Sequence, residues 1–130
     1  MKKTFFIISV FLATFFLYGY SAKSQTSNST AGLLKHIVII TFKPDASADS
    51  IKTLDDIYTS LAKSPLVKDF DLGVDISTRN KGQLKHVYVT TFSSKEDMTG
   101  YSKIPEYQKL FKISLSIADD VSVVDYWKKK

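Results

Sequence analysis

The chain has 130 residues, 44% of them hydrophobic and 13% aromatic, which suits one globular domain with a modest core and not a disordered chain. It has no cysteine, which excludes disulfides, a thiolate nucleophile, a cysteine-built metal site and a lipoprotein anchor. The formal charge of +5 sits at the ends, in Lys2, Lys3, Lys23 and the tail Lys128 to Lys130; the body between holds 12 basic against 13 acidic residues, which leaves no electrostatic footprint for nucleic acid.

Residues 1–24 have the three parts of a secretory signal. Lys2 and Lys3 are the positive start, and Phe5 to Tyr18 is an uncharged apolar run broken at Gly19. Ala22 and Ser24 put small side chains at the −3 and −1 positions of a cut before Gln25. The apolar run is shorter than the roughly 20 residues a membrane span needs. The expectation is export to the periplasm or the extracellular space of a bacterium, with no stable membrane insertion after cleavage; an uncleaved N-terminal anchor is the competing reading. Residues 25–32, QTSNSTAG, read as a flexible spacer, so a mature domain spans 33–127 and 128–130 form a solvated basic tail.

Leu34 to Lys43 alternates as a strand, with His36, Val38, Ile40 and Phe42 on one face and Ile37, Ile39 and Thr41 on the other. Both faces are largely apolar, so both need cover. Residues 47–64 carry a helical period, with Ile51, Leu54, Ile57, Tyr58 and Leu61 on one stripe. Ser47 or Asp45 caps the start and Pro65 ends it. Leu66 to Ile76 alternates Phe70, Leu72, Val74 and Ile76 with Asp69, Asp71, Gly73 and Asp75, the pattern of an edge strand with one wet face. Ser77 to Gly82 is a polar turn. Leu84 to Phe92 is a third strand, with His86, Tyr88, Thr90 and Phe92 on one face and Val87 and Val89 on the other. Ser94 caps a helix that turns Met98 and Tyr101 inward, and Pro105 continues it with Tyr107, Leu110, Phe111 and Leu115. Val121 to Trp127 is the fourth strand.

The order β-α-β-β-α-β predicts an α+β, ferredoxin-like fold, a four-stranded antiparallel sheet with helices on one face. The uncovered apolar face then finds its simplest cover in a second copy, a homodimer.

Lys35-His36 opening a strand that ends Phe42-Lys43-Pro44, the run His86 to Phe92, Tyr101, and the closing Val123-Val124-Asp125-Tyr126 together resemble the stress-responsive A/B barrel (Dabb) family. The resemblance covers Leu34 to Trp127 and implies a dimeric α/β barrel made by packing two sheets face to face. After the helical tyrosine, family members commonly carry His-Pro-x-His. Here the segment is Ile104-Pro105-Glu106-Tyr107. In the plant polyketide cyclases of the family the second of those histidines is a principal acid/base candidate, and a tyrosine, titrating near about 10, is a poor base at neutral pH.

The candidate site residues are His86 and His36 as acid/base groups, with Val38, Leu54, Tyr58, Tyr88, Tyr101 and Tyr107 lining a pocket for a small apolar or aromatic ligand. Of the histidines, His86 is the preferred base and His36 is expected nearer solvent. The alternative to a binding protein is an enzyme acting on a small aromatic or polyketide-like molecule through a histidine base. No metal or cofactor is called for: neither histidine has a carboxylate at ligand spacing in the sequence. Asp55-Asp56 reads as a solvated helix face and Asp119-Asp120 as a turn.

Overall fold

The computed structural model describes residues 32–129. The signal segment, nearly all of the spacer and Lys130 lie outside the described residues. The elements in chain order are β1 (Leu34–Phe42), α1 (Ala48–Leu61), β2 (Val67–Val74), a 3-10 turn at Thr78–Asn80, β3 (Lys85–Phe92), α2 (Lys95–Ser102), α3 (Pro105–Ile117) and β4 (Ala118–Trp127). The strands form one antiparallel sheet in the order β2-β3-β1-β4, so the two longest apolar runs, β1 and β3, take the centre. β2, with its alternating aspartates, lies at an edge, where side chains on one face stay wet.

Helix ends follow local chemistry. The Ser47 hydroxyl accepts from the Ser50 amide at the start of α1, and Ser94 accepts from the Asp97 amide at the start of α2. The second helical segment is two helices: α2 stops at Ser102, and α3 restarts with Pro105 in its first turn, where a missing N–H costs nothing.

One expected boundary is corrected. Asp119 and Asp120 are not in a turn; β4 begins at Ala118, with no residue between it and α3. The Lys43 amide donates to the Ile117 carbonyl and Phe42 pairs with Ala118, which draws the chain straight from helix into strand. A register shift at Thr41/Phe42 absorbs the mismatch. Acids are poor strand formers, but β4 is an edge strand, so these two stay in water.

The core lies between the sheet and the helices. Val38, Ile40, Phe42, Tyr88 and Phe92 from the strands meet Ile51, Leu54, Tyr58 and Leu61 of α1, with Tyr101 and Leu110 from the later helices. The other sheet face carries Ile37, Ile39, Val87 and Val89, all half-buried, beside the exposed Val124 and Tyr126. No helix among the described residues covers that face. Among the described residues no helix is long and apolar enough to cross a membrane.

Candidate functional site

The register of β1 decides what surrounds each histidine. His36 pairs with Thr90 on β3 and with Asp125 on β4. Alternation turns Asp125 to the helix side with Val121 and Val123, so its carboxylate meets the imidazole: Nδ1 of His36 lies 2.5 Å from Oδ1 of Asp125. An ionised carboxylate only accepts hydrogen bonds, so this contact places a ring proton on Nδ1; in the neutral ring Nε2 then carries the lone pair.

A cavity of about 400 Å3 opens beside this pair, between β1, β4 and α3. His36 and Tyr107 stand at its polar end, and Val38, Ile40, Tyr58, Leu110 and Val123 supply apolar wall. Its mouth, at Phe111, Leu115 and Val123, is exposed because β4 is the edge strand, with no neighbour beyond it among the described residues. A smaller recess of about 200 Å3 shares His36 and Tyr107 and adds Met98, Tyr101 and Asp125. Tyr101 is 2% exposed, and among the described residues its hydroxyl has no hydrogen-bond partner. Thr90 lies alongside and partly offsets the rise that burial gives its pKa, without completing a bond of normal geometry.

His86 is placed elsewhere. Its Nδ1 lies 3.0 Å from Oδ1 of Asp55, and the Tyr88 hydroxyl donates to the same oxygen at 2.7 Å. The ring packs edge-on against Phe42 at 4.9 Å, and Tyr88 stacks on Tyr58 at 3.8 Å. This polar knot joins the middle of α1 to β3. Of the eight candidate residues, His36, Val38, Tyr58 and Tyr107 line the cavity and Tyr101 the adjoining recess. Leu54, Tyr88 and His86 are buried where α1 packs against β3: Leu54 on the inner face of the helix, Tyr88 and His86 on the strand beneath it. His36, expected nearer solvent, is the more exposed of the two histidines, its side chain 14% exposed against 10% for His86.

Two carboxylates escaped the sequence reading. Asp56 is solvated as expected, pairing with Lys52 across one helical turn, but Asp55 turns inward. The available signal was helical spacing, since Asp55 is four residues after Ile51 and three before Tyr58, on the flank of the buried stripe. For Asp125 the signal was its parity with Val121 and Val123. Each histidine therefore has a carboxylate that no linear spacing announces. Among the described residues no three metal-ligating side chains come together.

Burial sets the tyrosine acidities. Desolvation raises Tyr58, Tyr88 and Tyr107 above the ordinary phenol value, and pushes Tyr101 up to about 12. The Asp55 carboxylate adds to the effect on Tyr88, and Asp125 to that on Tyr107. The unfolded chain releases these protons near about pH 10 while the folded chain holds them. Stability from this source is thus intact below about pH 10 and falls as pH rises toward about 12. A spectrophotometric titration should show the tyrosinate band of these four residues appearing together with alkaline unfolding. A band larger than the exposed Tyr126 can supply, developing near about pH 10 with the fold intact, would contradict their burial.

Residues 34–128 match the family model of the stress responsive A/B barrel domain, Dabb. The chain belongs to the Dabb family. The stress-response A/B barrel domain-containing protein HS1 of Arabidopsis thaliana is 34% identical over 98 residues, covering 73% of this chain and 89% of that one. Among solved structures, the hydroxynitrile lyase of Passiflora edulis superposes with a TM-score of 0.68 at 23% identity, over 77% of this chain and 96% of that one. A dimeric ferredoxin-like protein of unknown function from Thermobifida fusca gives 0.64 at 16% identity, over 74% and 91%. At these identities the two structures attest the ferredoxin-like fold. In this Dabb chain Ile104 precedes α3 without a side-chain cap, and Tyr107 stands in the cavity where the family resemblance implies a histidine.

Proposed function

We propose that this Dabb protein is exported, pairs with a second copy through the open sheet face, and binds a small uncharged molecule, apolar with one polar head, without catalysing a reaction. The observation that carries the reading is the cavity beside His36: largely apolar along β1, β4 and α3, with Ser114, Asp119 and Asp120 also on its lining, and with a polar end where His36, Tyr107 and the recess with the Tyr101 hydroxyl meet. A buried hydroxyl without a partner is costly, and a ligand oxygen at the recess would relieve it. Acids at the lip, Asp119 and Asp120, disfavour an anionic occupant.

The test is titration of the purified mature protein with the neutral fluorescent probe N-phenylnaphthylamine. Val123→Trp fills the cavity from an edge strand and should weaken binding about tenfold or more. Saturable binding that ignores Val123→Trp, or no binding, overturns the proposal.

The His36–Asp125 pair supports a second reading, a base that takes a proton on Nε2 from a substrate in the cavity. Against it stands Tyr107, whose burial raises its pKa and so leaves even less phenolate than usual to act as a base at neutral pH. Wild type should therefore show no turnover on a panel of aromatic and polyketide-like substrates. If it does turn one over, His36→Ala should cost about 10²–10⁴-fold. Activity gained only in Tyr107→His would mark a pocket retained without its catalytic group. Export is checked separately: the mature N-terminus should read from Gln25, and an intact Met1 on cytoplasmic protein would refute it.

A further inference from the structure

A second cleft, also about 400 Å3, lies at the opposite end of the sheet from His36, where β1 ends and β3 begins. Phe42 and Ile51, both nearly buried, and Leu84, 45% exposed, give it an apolar floor. Lys43 and Lys81 line it with ammonium-bearing side chains, and Asp119 is the one carboxylate residue among its walls. Lys43 gives one hydrogen bond to the Ser116 carbonyl, at 3.2 Å, which leaves two of its three donors.

The loop that presents Lys81 is held from within. The Ser77 amide donates to the Asp75 carboxylate, the Asn80 side-chain amide to the Asp75 carbonyl, and the Gly82 amide to the Asn80 side chain. These bonds fix Lys81 at φ 54° and ψ 32°, the left-handed region, and Gly82 at φ 76°. Among the described residues Lys81 is the non-glycine residue with positive φ. Glycine or asparagine meets that geometry with less strain, yet the position carries a long cation beside an apolar cleft.

We propose that this cleft binds a small organic monoanion with an apolar body, a medium-chain carboxylate or its like, with Lys43 and Lys81 meeting the charged group and Phe42, Ile51 and Leu84 the chain. Two cations against one carboxylate leave a single positive charge, which fits one negative charge and not two. The cavity beside His36 has the opposite bias, with Asp120 and the shared Asp119 at its lip. The molecule then sorts ligands by charge: neutral ones beside His36, anionic ones at the far end.

Amide chemical shifts of the mature protein, followed during titration with octanoate, octanol and inorganic phosphate, test this. Octanoate should move the amides of Lys43, Asp45 and Ala46 and of 81–84; octanol and phosphate should leave them in place. Lys43→Gln with Lys81→Gln should weaken octanoate about tenfold or more. Lys81→Gly keeps the loop geometry, so it removes the ammonium without endangering the fold, and should weaken octanoate on its own. Octanoate shifts confined to the cavity around His36, Leu110 and Val123 would overturn the proposal, as would equal responses to octanol or unchanged affinity in Lys81→Gly. None of these outcomes bears on probe binding at Val123, so the two readings fail separately.

Discussion

Asp55→Ala is expected to lower the unfolding free energy by about 2–4 kcal/mol, since it leaves two buried donors without an acceptor. Tyr88 is fully buried and its hydroxyl gives its one hydrogen bond to Asp55; the His86 ring, 10% exposed, leans on the same oxygen. Each orphaned group costs about 1–3 kcal/mol, and the Asp55 carboxylate is itself 22% exposed, so the lower part of the summed range applies. Asp55→Asn keeps one acceptor oxygen and should lose about half as much. Asp56→Ala is the control: that carboxylate pairs with Lys52 on the wet side of α1, and its loss should leave the denaturation midpoint in place. Chemical denaturation of the three variants measures this. Equal losses from Asp55→Ala and Asp56→Ala would mean the knot on β3 contributes nothing to stability.

Ile39→Asp is expected to abolish self-association. Ile39 lies near the middle of the open sheet face, between Val87 on β3 and Ser122 on β4. Face-to-face packing of two such sheets would bury an unpaired carboxylate there, a penalty of several kcal/mol. At about 4 kcal/mol the dissociation constant rises about 10³-fold, enough to turn a micromolar dimer into a monomer. Light scattering should give twice the chain mass for wild type and the chain mass for the variant. Phe111→Asp, on the helix side of the sheet, should leave the wild-type mass unchanged. A dimer that survives Ile39→Asp would move the interface off this face.

Reading by periodicity worked where burial is regular. β1 and β3 alternate cleanly because each is flanked by strands on both sides, and the stripe of α1 is plain because one face of it meets the sheet. It failed at Ala118, because a helix that runs directly into a strand has no turn residues to mark the change. The candidate site was legible in part for the same reason. Parity placed His36 and Val38 on the helix side, but nothing in the chain says that α1 fills the space before His86 while α3 leaves it open before His36. Asp55 and Asp125 each reach a histidine 31 and 89 residues away. Such partners become visible only once the register is known.

The missing linker between α3 and β4 bears on how this fold changes over time. Ile117 and Ala118 are adjacent, so one uninterrupted stretch of chain, residues 105–127, builds the exposed side of the cavity from helix and strand together. The Asp55 knot, by contrast, is assembled from α1 and β3, outside that stretch. Drift in the one is therefore uncoupled from the integrity of the other. A lineage can recut the shape of its binding wall through changes in a single contiguous segment, while the anchor that keeps helix on sheet is inherited intact.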